Sequence, residues 1–138
     1  MGLCYDVLFT PFGWMGVLSS SKGLMRTTLP QFSPEHCLVK LLSEVDRATF
    51  KPGYFHELHS RILDYFGGGS IMFDDEPIDI SDASTFLRSA WDICRSIPFG
   101  ETRTYKWLAS NLGMPKASRA AGQSMARNRL PIIIPCHR

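Results

Sequence analysis

The chain has 138 residues, 44% of them hydrophobic, and a formal net charge of +2 at pH 7. A chain of this size can bury a sizeable core, as one domain or as two small ones. No stretch approaches the roughly 18 uncharged apolar residues of a transmembrane helix, and the first residues lack the basic start and long apolar run of a secretory signal. We therefore expect a soluble protein of the cytoplasm, or of the nucleus in a eukaryote.

Three short β-type runs open the chain, and turn-like residues separate them. The runs are Tyr5–Thr10, Trp14–Leu18 and Leu24–Leu29, with Pro11-Phe12-Gly13 and Ser19–Gly23 between them. Such short spacing predicts an antiparallel meander.

Two helices are predicted next. Ser33-Pro34 offers an N-cap followed by proline at the first helical position, so a helix should run to about Val45. A second helix should span Tyr54–Phe66 and end at Gly67–Ser70. The acidic stretch Asp74–Pro77 is typical of a linker, which predicts an N-terminal domain over 1–77 and a second domain over 78–138.

The second half begins with a predicted helix from Ser81 to Ser96. Its apolar residues recur at helical spacing and should bury one face; they are Phe86, Ala90, Trp91, Cys94 and Ile97. Cys94 is thus expected in the core. Two shorter helices follow, Thr104–Leu112 and Pro115–Arg127. The connection between them, Gly113-Met114-Pro115, is typical of a helix-turn-helix.

The predicted 115–127 helix has a surface rich in small residues, namely Ala117, Ser118, Ala120, Ala121, Gly122, Ser124 and Ala126. Small side chains let a helix backbone approach a narrow groove, whereas a base-reading helix carries several Asn, Gln or Arg. This surface predicts binding to nucleic acid with weak sequence preference.

Charge is divided unevenly along the chain. Residues 1–97 hold eight Lys/Arg and twelve Asp/Glu, a balance of −4, while residues 98–138 hold seven Lys/Arg and only Glu101, a balance of +6. A locally basic region attracts phosphates without regard to sequence, so the second half is predicted to face nucleic acid. A merely solvated basic face is the alternative.

The chain closes on Pro135-Cys136-His137-Arg138, directly after the apolar run Leu130–Ile134. An imidazole and nearby guanidiniums favour a thiolate, which makes Cys136 a candidate nucleophile. The alternative is a small core cysteine. The four cysteines are far apart and form no C-x-x-C pair, which argues against a disulfide framework or a zinc ribbon. We therefore predict neither a metal nor a cofactor.

Seven motifs occur in a fixed order over the last third of the chain: Ile97-Pro98-Phe99-Gly100-Glu101-Thr102, Thr104-Tyr105, Leu108-Ala109, Gly113-Met114-Pro115, Ser118-Arg119-Ala120-Ala121-Gly122, Asn128, and Ile134-Pro135-Cys136-His137-Arg138. This pattern resembles the O6-alkylguanine-DNA alkyltransferases, also called methylated-DNA-protein-cysteine methyltransferases. The resemblance implies an α+β fold. Its N-terminal domain would be a ribonuclease-H-like small antiparallel sheet with helices, and its C-terminal domain would hold a winged-helix-like helix-turn-helix.

The resemblance also implies the activity. Cys136 would take an alkyl group from O6 of a flipped guanine, or from O4 of thymine, one base per molecule. His137 would pass the thiol proton through a water to a glutamate. The implied partner is double-stranded DNA, bound in the minor groove by a monomer. Residues implied to bind DNA are Tyr105, Ala117, Ser118, Arg119, Ala120, Gly122, Gln123 and Arg127.

Four of the implied roles have ordinary alternatives. Arg119 would enter the base stack, or else contact a phosphate or form a surface ion pair. Tyr105 would lie beside the flipped nucleotide, or else pack in the core. Asn128 would be the hinge before the active-site loop and Pro131, with Pro135, would line the guanine pocket, although Asn and Pro are also common where helices end.

In the family the chain continues past this final arginine with the rest of the pocket and the relay glutamate. We therefore expect the 138-residue chain to transfer alkyl groups more slowly than an extended version. Two other functions stay open. One is a non-catalytic alkylated-DNA-binding helix-turn-helix module, and the other is a cysteine hydrolase, which would want a distant histidine base and an orienting Asn or Asp.

Overall fold

The computed structural model describes residues 2–98 and 100–135, which form two compact units. The first unit holds the described residues up to Ile71 together with Glu76–Asp79, and the second holds Met72–Asp75 together with the residues from Ile80 onward. Within the described residues the fold is α+β, with one four-stranded sheet and five α-helices. The chain passes between the units three times near residues 72–80.

The sheet of the first unit has the strand order β3-β2-β1-β4. Its strands are β1 (Leu3–Thr10), β2 (Gly13–Ser20), β3 (Gly23–Thr27) and β4 (Ala48–Phe50). The predicted antiparallel meander is confirmed for β1 to β3. The prediction of a purely antiparallel sheet is wrong, because β4 pairs with β1 in parallel.

Two helices pack on this sheet, α1 (Pro34–Leu41) on β2 and β1, and α2 (His56–Phe66) on β1. Helix α1 begins where predicted, with the Ser33 hydroxyl accepting a hydrogen bond from the backbone N–H of His36, but it ends four residues before Val45. A Cβ at Gly16 would lie 3.1 Å from Leu41 Cδ2 and 3.3 Å from Cys37 Cβ. The absent side chain of Gly16 therefore lets α1 approach β2 closely.

The second unit contains three helices, α3 (Thr85–Arg95), α4 (Tyr105–Asn111) and α5 (Ser118–Ala126). The predicted start of α3 at Ser81 is wrong, because the hydroxyl of Ser84 caps the helix by accepting a hydrogen bond from Leu87 N–H. The predicted start of α5 at Pro115 is also wrong. Residues 114–117 instead form a turn in which the N–H of Ala117 donates to the carbonyl of Met114 at 2.9 Å.

Trp91 of α3 is fully buried in the second unit. Its indole N–H donates a 2.9 Å hydrogen bond to the backbone carbonyl of Ser124, which holds α5 against α3. Cys94 is buried beside Met125, with the two sulfurs 3.4 Å apart. The expected core position of Cys94 is therefore confirmed.

No helix in the described part of the chain is long and apolar enough to cross a membrane. The same residues contain no cluster of three or more His, Cys, Asp or Glu side chains with the arrangement of a metal site.

Candidate nucleic-acid interface

Helices α4 and α5 follow each other in the chain and pack together. Helix α4 starts at Tyr105 because the hydroxyl of Thr104 accepts a 2.9 Å hydrogen bond from the N–H of Trp107. It ends where Gly113 adopts a positive φ of 76°, a conformation that glycine takes at little cost. The N–H of Met114 then bonds back to the carbonyl of Ala109 at 2.9 Å, which closes the helix end. The sequence thus specifies both ends of α4.

Helix α5 has one buried face and one exposed face. The buried face consists of Ala121, Ser124 and Met125. The exposed face consists of Ser118, Arg119, Gln123 and Ala126. Half-buried positions between the two are Ala120 and Gly122, together with Ala117 just before the helix. The predicted small-residue surface is therefore narrower than the sequence indicated, because two of its members, Ala121 and Ser124, pack in the core. The solvent-facing strip still contains small side chains, and Arg119 projects from its first turn.

Tyr105 and Gly122 are in direct contact. A Cβ built on Gly122 would lie 3.0 Å from Cδ2 and 3.1 Å from Cε2 of the Tyr105 ring, so the ring rests on the bare backbone of α5. Tyr105 is half-buried in this position. The structure thus brings two of the predicted DNA-binding residues into contact, while the role of Tyr105 beside a nucleotide stays a prediction.

Ion pairs divide the cations of this half into two groups. Arg103 pairs with Glu101 at 2.6 Å, and Arg129 pairs with Asp82 at 2.8 Å. Among the described residues, no ion pair is seen for the remaining four, which we call the uncommitted cations: Lys106, Lys116, Arg119 and Arg127. All four are exposed, so they are available to phosphates.

Asn128 organises the loop that follows α5. Its side-chain amide donates to the carbonyl of Ile134 at 2.9 Å, and its side-chain oxygen accepts from the N–H of Leu130 at 2.9 Å. The N–H of Ile134 in turn donates to the carbonyl of Leu130 at 2.8 Å, while both residues are fully buried. These bonds fix the path of the chain from the end of α5 to Pro135.

The same loop contains a residue in an unusual backbone conformation. Ile132 has φ of +78°, which is uncommon for a β-branched side chain. It is half-buried, as are its neighbour Pro131 and, further along, Pro135. The hydrogen bonds of Asn128 on either side and the buried Ile133 next in sequence hold this conformation in place.

Cys136 and His137 lie outside the described residues, so their predicted roles stay predictions. The described chain leads up to them through Pro135. The sequence did not predict the contacts that hold this part of the chain in place, namely those of Arg129 with Asp82 and with the ring of Trp91. No spacing pattern links positions 82, 91 and 129, so the sequence carries no local signal for them.

The chain is similar to known proteins in this region and beyond it. Residues 85–138 match the family model for the 6-O-methylguanine DNA methyltransferase, DNA binding domain. A methylated-DNA–protein-cysteine methyltransferase of Methanosarcina barkeri is 33% identical over 136 residues, covering 97% of this chain and 80% of the relative. The one of Methanosarcina acetivorans is 43% identical over 86 residues, covering 62% of this chain and 53% of the relative. The chain thus spans about half the length of the Methanosarcina acetivorans protein and most of the length of the Methanosarcina barkeri protein.

Solved structures are similar over nearly the whole chain. The Mycobacterium tuberculosis O6-methylguanine methyltransferase has a TM-score of 0.78 at 28% identity, covering 99% of this chain and 77% of that one. A complex of Mycobacterium tuberculosis OGT with DNA has a TM-score of 0.79 at 29% identity, covering 98% and 76%. The fold and these matches define a class of proteins that contain the DNA-binding domain of the 6-O-methylguanine DNA methyltransferases. The chain belongs to the methylated-DNA–protein-cysteine methyltransferase family.

Proposed function

We propose that this protein repairs DNA by moving an alkyl group from O6 of guanine, or from O4 of thymine, to the sulfur of Cys136. In this reaction the Cys136 thiolate attacks the alkyl carbon and forms a carbon–sulfur bond. The bond between that carbon and the base oxygen breaks, its electron pair stays on the base, and the base takes up a proton. The thioether is permanent, so each molecule acts once.

The observation that carries this proposal is the link between α5 and the loop before the cysteine. The uncommitted cations are all exposed on α4, on α5 or directly beside them, and we propose that they act with the exposed strip of α5 as one basic surface. The hydrogen bonds of Asn128 tie the end of α5 to Ile134, two residues before Cys136 in the sequence. A helix docked on DNA would therefore hold the described segment up to Pro135, which precedes the cysteine, at a fixed place relative to the duplex. Proximity of this kind is a main source of rate enhancement.

We further propose that α4 and α5 act as a winged-helix-like helix-turn-helix that enters the minor groove as a monomer. The small side chains of α5 allow the close approach that a narrow groove requires. Among the exposed side chains of this helix, only Arg119 and Gln123 are of the long types that commonly read base edges, which limits the reading of sequence. Arg119 would fill the gap left by a flipped base, with Tyr105 beside the nucleotide. The first unit, with its sheet and two helices, would be ribonuclease-H-like.

The remaining assignments concern the site around the thiol. His137 would accept the thiol proton by way of a water, and Pro131 and Pro135 would line the pocket for the base. The half-buried positions of both prolines, next to buried Ile133 and Ile134, support an apolar wall at this point. An apolar wall suits a flat aromatic base.

Intact-protein and peptide mass spectrometry would test the proposal after incubation with O6-benzylguanine or with a duplex containing O6-methylguanine. We expect one benzyl or one methyl adduct per molecule, located on Cys136. The Cys136→Ala variant should form no adduct and should keep its duplex affinity within a few fold, because binding comes from the basic surface.

Other results would lead to different conclusions. Binding to alkylated duplex without any adduct in the unaltered protein would favour a non-catalytic DNA-damage-binding module. Equal adduct formation on the buried Cys37 or Cys94 of the folded protein would refute the assignment of the nucleophile.

A further inference from the structure

Trp91 contacts two functional elements of the second unit at once. Its indole N–H holds the backbone of α5 through the carbonyl of Ser124 at 2.9 Å. The guanidinium of Arg129, in the loop that leads to Cys136, lies over the Trp91 ring at 5.8 Å from its centroid. Since Trp91 is fully buried, it gives both elements the same rigid support.

A second contact fixes the orientation of Arg129. Its Nη1 lies 2.8 Å from Oδ1 of Asp82, which precedes α3 in the chain. The planar guanidinium is therefore held between a carboxylate and an aromatic face, a combination that suits arginine better than lysine. Arg129 also directly follows Asn128, whose side chain fixes the loop from Leu130 to Ile134.

We propose that Arg129 is a positioning residue for alkyl transfer, which it supports by seating the 128–135 segment on Trp91 and Asp82. This inference rests on the proposed function. Arg129 does not touch the substrate in this scheme. It fixes the start of the segment, Asn128 fixes its path, and the shared contact with Trp91 keeps the segment in register with α5.

The contacts of Arg129 are suited to positioning more than to stability. The side chain of Asp82 is 63% exposed and that of Arg129 is 28% exposed, so their ion pair is partly screened by water and contributes little to the free energy of folding. A small displacement of a reacting group, by contrast, has a large effect on rate. Removing Arg129 should therefore separate rate from stability.

The test compares Arg129→Ala, Arg129→Lys and Asp82→Asn in the intact protein. Arg88→Ala, which removes an exposed arginine of α3, is the control for the loss of one positive charge. Each variant is titrated with O6-benzylguanine, and saturation kinetics give the limiting rate of adduct formation and the concentration for half-maximal rate. Urea unfolding, followed by circular dichroism, measures stability in parallel.

We expect Arg129→Ala to lower the limiting rate at least about tenfold, with the half-saturating concentration changed less than about threefold and a nearly unchanged urea midpoint. Asp82→Asn should show a smaller fall, and Arg129→Lys should restore part of the rate. Arg88→Ala should match the unaltered protein.

Unchanged limiting rates in both Arg129→Ala and Asp82→Asn would overturn this inference alone. Rates that fall only in proportion to a loss of folded protein would also overturn it, because Arg129 would then act on stability alone. If Arg129→Ala fails to fold, the limiting rate of the isosteric Asp82→Asn variant decides whether the inference stands. Absence of any adduct in the unaltered protein would overturn the proposed function together with this inference.

Discussion

A methyl group added at position 122 would test whether Tyr105 and α5 share one surface. In Gly122→Ala the new Cβ would lie 3.0 Å from Cδ2 and 3.1 Å from Cε2 of Tyr105. Carbon atoms attract best at about 3.5–4.0 Å, so the ring has to move by several tenths of an ångström. Opposing this cost, alanine stabilises a helix interior by about 1 kcal/mol relative to glycine.

A double-mutant cycle separates these two effects. In the unaltered background we expect Gly122→Ala to change the free energy of unfolding by less than about 0.5 kcal/mol, because the helix gain is offset by displacement of the ring. In a Tyr105→Ala background the ring is gone, so the same change should stabilise by about 1 kcal/mol. Urea unfolding of the four proteins gives the coupling energy directly.

A stabilisation of about 1 kcal/mol in both backgrounds, equal within about 0.3 kcal/mol, would mean that the two residues do not interact and that our description of this surface is incorrect. The same variant has a functional consequence. Since Tyr105 is displaced and a methyl group is added to the surface that we propose binds DNA, alkyl transfer from duplex DNA should slow even though stability is retained.

Four further predictions follow from the site and the core. Arg119→Ala should slow repair of duplex DNA far more than reaction with free O6-benzylguanine, because the free base needs no flipping; a parallel loss on both substrates would contradict the role of Arg119 in the base stack. If the four uncommitted cations of the described chain all contact phosphates, the logarithm of the affinity for undamaged duplex should fall with the logarithm of the salt concentration with a slope of about −3.6. Lys116→Ala should reduce the steepness of this slope by about 0.9. Arg103→Ala should leave the slope nearly unchanged, because Arg103 already pairs with Glu101. Asn128→Ala leaves the carbonyl of Ile134 and the N–H of Leu130 without their partner. The free energy of unfolding in urea should therefore fall by about 2 kcal/mol, and adduct formation should slow. An unchanged urea midpoint would show that the loop does not depend on this side chain. Burial raises the pKa of the Cys37 thiol, so the folded state favours the protonated form and stability is lost as pH rises above the ordinary thiol pKa. The free energy of unfolding should therefore fall less steeply with rising alkaline pH in Cys37→Ala than in the unaltered protein. An identical slope in the two proteins would exclude this contribution.

Local chemistry made the helices of the second unit predictable, with errors confined to their ends. The sequence identified α4 to within one residue at each end, because Thr104 and Gly113 are unambiguous start and stop signals. It placed the start of α3 at Ser81, four residues before Thr85, because the apolar spacing that predicts the helix does not mark where the helix begins. The start is set by the hydroxyl of Ser84, which accepts a hydrogen bond from the N–H of Leu87.

Features that depend on distant pairing were not predictable. β4 has three residues and an exposed face, so it shows no alternation, and it exists because Ala48–Phe50 pairs with Leu3–Tyr5. The contact between Tyr105 and Gly122 and the support of Arg129 by Asp82 likewise join positions with no common spacing. The sequence motifs predict a set of site residues, and packing determines which of the described ones touch.

The pairing of β3 with the segment just after residue 76 affects how the first unit can be produced alone. β3 is at one end of the sheet, and its Leu24 exchanges backbone hydrogen bonds with Pro77 at 2.9 Å and Asp79 at 2.6 Å. Gly23 makes room for this segment, since a Cβ there would meet the carbonyl of Pro77 at 2.6 Å. A fragment that stops before Glu76 would leave these edge groups open to strands of other molecules and would be prone to aggregate, whereas one that runs through Asp79 keeps the edge covered.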